Sequence, residues 1–424
     1  MLPKYLLLLL RYSRRLWVRV SLISLLSVIA AVLAPTLAPY LPDKAVEWFS
    51  RDAVMPVLTI LASGMLAVTT FSLNVMVSAY RNAAGQATPR AYRYLLQDTT
   101  TQTVLATFVG AFIYSLVAII LFRAQIYDEA SSVIVFATTV LVVVLIIFAI
   151  LRWIDHLSNL GSMDHTLYLV EKRAGVVLRA RQRAPAFGAR VLTDSAPDMA
   201  GAHALKSPAT GYVQYIDIPG LQSKLNEHDA QLCLRIQPGK FVQAGQPLAD
   251  VAGVSSDMAQ ALHSFFTVAP ERSFEQDSTF AVTVLSEIGS RALSPGVNDP
   301  GTAIDVIRRL QRLLWDFGGL EDEEKRIKAN NACDRVHARP VAARDLVIDA
   351  FAPLARDGAG MIEVTLQLAA ALAELAQHPD QDLASACREM AQYLQDHADK
   401  AMVLDQDRDR LRQITCDPET AESV

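Results

Sequence analysis

A row of five polar side chains runs through a largely apolar stretch. Thr59, Ser63, Thr70, Asn74 and Ser78 are spaced by four or seven residues, which places them along one face of a helix. Ala67 completes the row with a small residue. Hydroxyls and an amide carry no charge but hold donors and acceptors, so such a row can coordinate an ion or line a file of water. The same residue types let membrane helices approach closely and bond across the contact. Both packing and a wetted pathway fit the spacing. Gly110 and Tyr114 repeat at a similar interval in a later apolar run.

A second candidate lies in "RALSPGVNDPGTA", residues 291–303. Pro295-Gly296 ends one helical pattern, and Asp299 followed by Pro300 suits the N-cap and first position of the next. A capped turn explains Ser294, Asn298 and Asp299 without chemistry. The functional rival is an anion site at the new helix N-terminus, with Arg291 beside it. A membrane-bound hydrolase would need Arg291, Asn298 and Asp299 to converge as an acid/base cluster. Asp155-His156 and Asp164-His165 are nine residues apart with no further ligand at helical spacing, so no metal is expected. No HExxH, GxSxG, P-loop or dinucleotide fingerprint is present, so neither an enzyme nor a cofactor is expected.

The elements that must position these residues follow from composition. The chain has 424 residues, 52% hydrophobic and only 20% charged, with a mean hydropathy of +0.24. A soluble domain usually carries about 25% charged residues, so part of this chain is built for lipid. Four stretches free of charge and histidine run from Val20 to Leu41, Ala53 to Tyr80, Thr103 to Phe122 and Val133 to Leu151. Crossing a bilayer takes about 20 apolar residues, and continuous apolar runs span as helices because each backbone group then bonds internally. Pro35 and Pro39 fall near the end of the first span, where a kink or stop is tolerable. The absence of Asp, Glu, Lys, Arg and His from all four argues against a proton-driven pump and leaves a passive pore or an anchor.

Charge sets the orientation. The first, third and fifth flanks hold 11 basic residues: Lys4, Arg11, Arg14, Arg15, Arg19, Arg81, Arg90, Arg93, Arg152, Lys172 and Arg173. The two remaining loops hold 3, Lys44, Arg51 and Arg123. Both termini are therefore expected in the cytoplasm of a bacterial inner membrane. Tyr5–Leu10 is too short for a signal core, and Arg14-Arg15 is taken as the flank of an uncleaved first span. Residues 1–160 carry 12 Lys/Arg and 7 Asp/Glu, which leaves 27 and 37 for the rest. An acidic soluble half is a poor partner for nucleic acid. Cys233, Cys333, Cys387 and Cys416 form no close pair and suit a reducing compartment.

The fold class expected is membrane α-helical with four transmembrane helices, followed by a cytoplasmic α+β region. The boundaries are 1–155 for the spans, 156–189 for a helical connector, 190–255 for a β-rich module and 256–424 for a helical domain. Within the module, "SPATGYVQYIDI" alternates and "LCLRIQPGKFVQAGQPLADV" carries turns at Pro238-Gly239 and Gly245-Gln246-Pro247. These half-motifs resemble the barrel-sandwich hybrid of biotinyl and lipoyl carriers. Carriers modify a lysine framed by apolar residues on the intervening hairpin. Lys224 in "GLQSKLNEHDA" lacks that frame, so a structural module, or one that binds a small ligand or partner, is implied. Farther on, Phe274, Ala281, Val284, Leu285, Ile288 and Ala292 form one helical stripe, and Ile304, Ile307, Leu310, Leu314 and Phe317 another. Arg308, Arg309 and Arg312 suit a solvated face or an anionic membrane surface.

The whole pattern resembles a bacterial family of predicted membrane proteins, the domain of unknown function 2254 family. The resemblance rests on the four spans, "ATPRAYRYLLQDTTTQ" (87–102), "GYVQYID" (211–217), "PGKFVQAGQPL" (238–248), "RSFEQD" (272–277) and "RALSPGVNDPGTAID" (291–305). It implies topology and location, and names no activity, substrate or cofactor. The function expected is an oligomeric passive channel gated by its cytoplasmic region, with Asn74 at the constriction. The alternative is a membrane-anchored scaffold or signalling adaptor. Expected partners are the lipid bilayer, further copies of the chain, and a small ligand or ion at the cytoplasmic domain.

Overall fold

The computed structural model describes residues 16–37, 51–86, 88–91, 99–159, 161–192, 199–318 and 333–416. The chain divides into two compact units, residues 5–166 and residues 167–424.

The first unit holds helices α1 (Leu16–Leu37), α2 (Arg51–Gln86), α3 (Thr99–Arg123) and α4 (Glu129–Asn159). Each contains a stretch long and apolar enough to cross a membrane: Trp17–Thr36, Val54–Arg81, Thr100–Arg123 and Glu129–Leu157. Residues 38–41 of the expected first span, and residues 87 and 92–98 of the 87–102 motif, lie outside the described residues. The last span starts earlier than the apolar run because Asp128 caps it, its Oδ1 accepting from the Ser131 amide at 2.7 Å. Helix α3 is the most enclosed of the four. A Cβ on Gly110 would sit 2.6 Å from Ile23 Cγ2, so only glycine lets α1 come this close. Tyr114, 1% exposed, donates to the Val135 carbonyl at 3.0 Å and lies 3.1 Å from the Thr139 hydroxyl. Tyr127 donates to the Ala31 carbonyl at 2.7 Å. These bonds tie α3 and the turn after it to α1 and α4.

The second unit continues with α5 (Met163–Arg183), β1 (Arg190–Val191), β2 (His203–Lys206), β3 (Gly211–Ile216), α6 (Ile218–Asn226), β4 (Gln231–Leu234), β5 (Phe241–Val242) and β6 (Pro247–Ala252). After these come α7 (Ser256–Ala261), β7 (Phe266–Ala269), α8 (Ser278–Ala292), α9 (Pro300–Gly318) and β8 (Val336–Ala338). Helices α10 (Ala343–Asp357), α11 (Ile362–Leu375), α12 (Gln381–Ala401) and α13 (Asp405–Cys416) complete it. One mixed sheet has the order β1-β8-β4-β6-β2, and a three-stranded antiparallel sheet has the order β5-β3-β7. Leu205, Val213, Leu221, Leu232, Val242, Leu248 and Val251 meet in their shared core. Among the described residues neither sheet closes into a barrel. The sheets also reach beyond the expected 190–255 segment, since β7 and β8 come from chain expected to be helical. Three residues of β8 are too short a run to show a period. Where a carrier would place its lysine hairpin, α6 is a helix capped by Asp217, and Lys224 pairs with Glu227 at 2.6 Å.

Both helical stripes expected beyond residue 270 turn inward. Ala281, Val284, Leu285, Ile307, Leu310 and Leu314 are all fully buried. Of the three arginines of α9, Arg308 and Arg312 are exposed as a solvated face requires, and Arg309 departs from it. Arg309 is mostly buried and bonds Glu171 and Asp305, each at 2.8 Å. Arg312 Nε bonds Glu171 at 2.8 Å, and Arg308 donates to Gln367. Glu171 stands far back in the sequence on α5, so local spacing could not reveal the clamp.

The segment Arg272–Asp277 stitches sheet to helices. Strand β5 covers β3 only at Gly211 and Tyr212, which leaves the Ile216 edge open. Gln276 fills it: its amide accepts from the Ile216 N–H at 2.8 Å and donates to the Ile216 carbonyl at 3.0 Å. Asp277 caps α8 through the Phe280 amide and is gripped by both guanidinium arms of Arg272. Arg181, 3% exposed, donates to the carbonyls of Ala184 and Gln276 and lies 3.4 Å over the Phe187 ring. Burial pulls its pKa down to about 9, and Asp277 opposes the fall, so it stays charged at neutral pH. Gln276→Leu keeps the volume but orphans two buried backbone groups. It should destabilise the second unit by roughly 2–4 kcal/mol, measured by chemical denaturation of the detergent-solubilised chain. An unchanged midpoint would refute the stitch.

Candidate functional site

Helix α2 turns the candidate row outward. Thr59, Ser63, Ala67, Thr70, Asn74 and Ser78 are all exposed, whereas Val54, Leu58, Met65, Ser72 and Tyr80 are buried on the opposite side. Ile60, Leu66, Phe71, Leu73 and Val77 border the row with apolar surface. Three hydroxyls satisfy themselves. Thr59 donates to the Met55 carbonyl, Ser63 to that of Thr59 and Thr70 to that of Leu66, at 2.9, 2.9 and 3.0 Å. Asn74 and Ser78 have no such bond: their side chains find no partner among the described residues. Gly110 and Tyr114 do not extend this row. They sit inside the helix contacts of α3, as close approach and hydrogen bonding there require.

The 291–303 segment folds as a turn between α8 and α9. The Ser294 hydroxyl donates to the Arg291 carbonyl at 2.6 Å, and the Asp299 amide to that of Ala292 at 2.8 Å. Asn298 holds φ at +51°, a left-handed conformation that asparagine tolerates better than most residues. Asp299 caps α9, with Oδ1 accepting from the Thr302 amide at 3.0 Å and Oδ2 from its hydroxyl at 2.6 Å. These bonds hold the Asp299 carboxyl below its ordinary range. The carboxylate thus occupies the helix N-terminus, where an anion would have to bind. Arg291, Ser294, Asn298 and Asp299 share one turn: Ser294 bonds the Arg291 carbonyl, the Asn298 backbone amide bonds that of Ser294, and Asp299 caps α9 through Thr302.

His156 lies 2.9 Å from the Thr101 hydroxyl, and its ring centroid is 6.3 Å from that of His165. Among the described residues no three metal-ligating side chains converge. A charged cluster that sequence spacing did not single out surrounds Asp277. Arg272, Lys240 and Asp345 act on Asp349 there; burial raises the Asp349 pKa despite the two cations. Gly239, at φ +94°, packs so closely that a Cβ would meet the Asp277 carboxylate at 2.2 Å. The strings "PGKF" and "RSFEQD" were visible as motifs, but nothing in them said that one folds onto the other.

The family profile described as Predicted membrane protein (DUF2254) matches residues 13–374. Uncharacterized proteins of Mycobacterium bovis and Mycobacterium tuberculosis are 25% identical over 308 residues, 70% of this chain and 59% of theirs. The chain therefore spans less than two thirds of the length of these curated relatives. No solved structure matches it. The chain belongs to the DUF2254 family of membrane proteins.

Asp299→Ala removes the α9 cap and should cost about 1 kcal/mol of stability. Because folding lowers the Asp299 pKa, its contribution is present above the unfolded value and fades as pH falls below about 4. A denaturation series from pH 7 to pH 3, run on both chains, should show the gap between them close in acid. A gap that persists unchanged would show that the carboxylate does not act as the cap.

Proposed function

We propose, on the premise of that membership, that the protein is an integral protein of the bacterial inner membrane and assembles as a homo-oligomer around a passive, water-filled pathway. The outward polar row of α2 lines the pathway, Asn74 sits at its constriction, and the cytoplasmic region serves as the gate. The observation that carries this reading is the pair Asn74 and Ser78, exposed on a spanning helix with no partner among the described residues. An amide left unpaired in an apolar medium costs roughly 2–7 kcal/mol. Asn74 lies seven residues inside Arg81, or about 10 Å along the helix, so interfacial water does not reach it by default. Lipid offers no hydrogen bonds. Water in a channel formed with other copies of α2 supplies them.

Among the described residues Phe108 and Tyr114 are buried around α3, which favours a pathway between subunits over one through a single subunit. The pathway therefore runs between subunits. The apolar runs at the centres of the spans hold no Asp, Glu, Lys, Arg or His, which favours passive flow over coupling to protons. The excess of basic residues on alternate flanks supports placing both termini and residues 167–424 in the cytoplasm. There the two small sheets serve as a barrel-sandwich-like module that receives a small ligand or ion.

Purified protein in liposomes should pass ions or water under a voltage or osmotic step. Asn74→Leu should cut that flux by about tenfold or more, equivalent to some 1.4 kcal/mol on the barrier. If no common ion moves, and the variant matches the parent in flux and growth, the pore fails. The membrane-anchored scaffold or signalling adaptor is then the better account.

A further inference from the structure

The first unit carries an open groove of about 490 Å³ lined by Thr100, Phe148, Leu151, Arg152, Asp155 and His156. Its wall is one face of α4, since residues 148, 151, 152 and 155 recur at helical spacing. Along that face the chemistry changes abruptly. Phe148 is 71% and Leu151 62% exposed, and both belong to the apolar part of the span. Arg152 is the first charged residue after the run Ala130–Leu151. That run is about 33 Å long at 1.5 Å per residue, close to the thickness of a hydrocarbon core. Arg152 therefore stands at the depth of the lipid phosphates, directly above two exposed apolar side chains.

The Arg152 guanidinium is exposed and has no hydrogen bond or ion pair among the described residues. The Thr100 hydroxyl and His156 imidazole line the same space. Three residues on, the Asp155 carboxylate shares the wall. This cation–anion pair decides between headgroups. A headgroup with only negative charge would satisfy Arg152 but meet repulsion from Asp155. A quaternary ammonium would satisfy neither the geometry nor the hydrogen bonds of a carboxylate, since it has no N–H to donate.

We propose that this groove is a binding site for a phospholipid whose headgroup carries a phosphodiester and a primary ammonium, as in phosphatidylethanolamine. The phosphodiester lies on Arg152 with Thr100 and His156 as supporting hydrogen-bond groups. The ammonium donates to Asp155, and the first carbons of the acyl chains lie along Phe148 and Leu151. The site is independent of any pathway through the oligomer and stands or falls without it.

The test is native mass spectrometry of the full-length protein in detergent, supplied in turn with phosphatidylethanolamine, phosphatidylglycerol, phosphatidylcholine and inorganic phosphate. The expected result is a retained phosphatidylethanolamine adduct. Arg152→Gln should weaken it by roughly tenfold, as loss of a charged hydrogen bond would. Asp155→Asn should abolish the preference over phosphatidylcholine. Arg123→Gln, at the far end of α3, should leave the adduct unchanged and serves as the control for folding. Equal retention of the three lipids, a stronger adduct with phosphatidylglycerol or free phosphate, or full retention by Arg152→Gln would each overturn the assignment.

Discussion

Lipid gives nothing back to a hydrogen-bond donor, and the membrane unit is organised around that fact. Its hydroxyls mostly turn to their own helix: Thr59, Ser63, Thr69, Thr70, Thr107, Ser115 and Thr139 each donate to the carbonyl four residues earlier. The buried hydroxyls of Tyr114 and Tyr127 reach across to carbonyls of neighbouring elements. Against this background the exceptions are informative. The Ser24 and Ser72 hydroxyls and the Trp153 indole are buried without a partner, and each has only a modest polar surface to satisfy. Asn74 is different in kind. Its amide has several bonding positions, and it faces outward, where no described residue bonds it.

The second unit solves the opposite problem. It has water on its surface but must join two thin sheets to a helical body without a large common core. It does so with a small set of paired buried polar groups, beside which the Ser273 and Ser278 hydroxyls find no partner among the described residues. Gln276 acts as a one-residue strand against Ile216, Asp277 closes the first turn of α8, and Arg272 and Arg181 neutralise and anchor the segment. Such networks stabilise only when complete. That explains why Gly239, whose missing side chain makes room for the Asp277 carboxylate, sits where it does.

Much of this was legible in the sequence, for definite physical reasons. A span must be continuously apolar, so four spans could be read directly. The stripes of α8 and α9 follow from helical period, and Asp299 beside Pro300 announced its cap. What stayed hidden depended on partners distant along the chain. Glu171 draws Arg309 into a clamp and also pairs with the exposed Arg312. Strand β8 joins β1 and β4 from more than a hundred residues away. Gly110 and Tyr114 looked like part of the polar row because period alone cannot say which neighbour a helix face meets. The outward direction of the α2 row likewise required the packing of α3 to be known.

The insertion of β8 between β1 and β4 has a consequence for biosynthesis. Both of its neighbours are parallel to it, so the mixed sheet stays in two pieces until Val336–Ala338 has left the ribosome. By then α8 and α9 have already been made. The β-rich part is therefore not a bead that folds first and is later decorated with helices. Its last stave arrives late, and during translation the edges of β1 and β4 wait uncovered, a period in which a chaperone or the helices themselves must shield them.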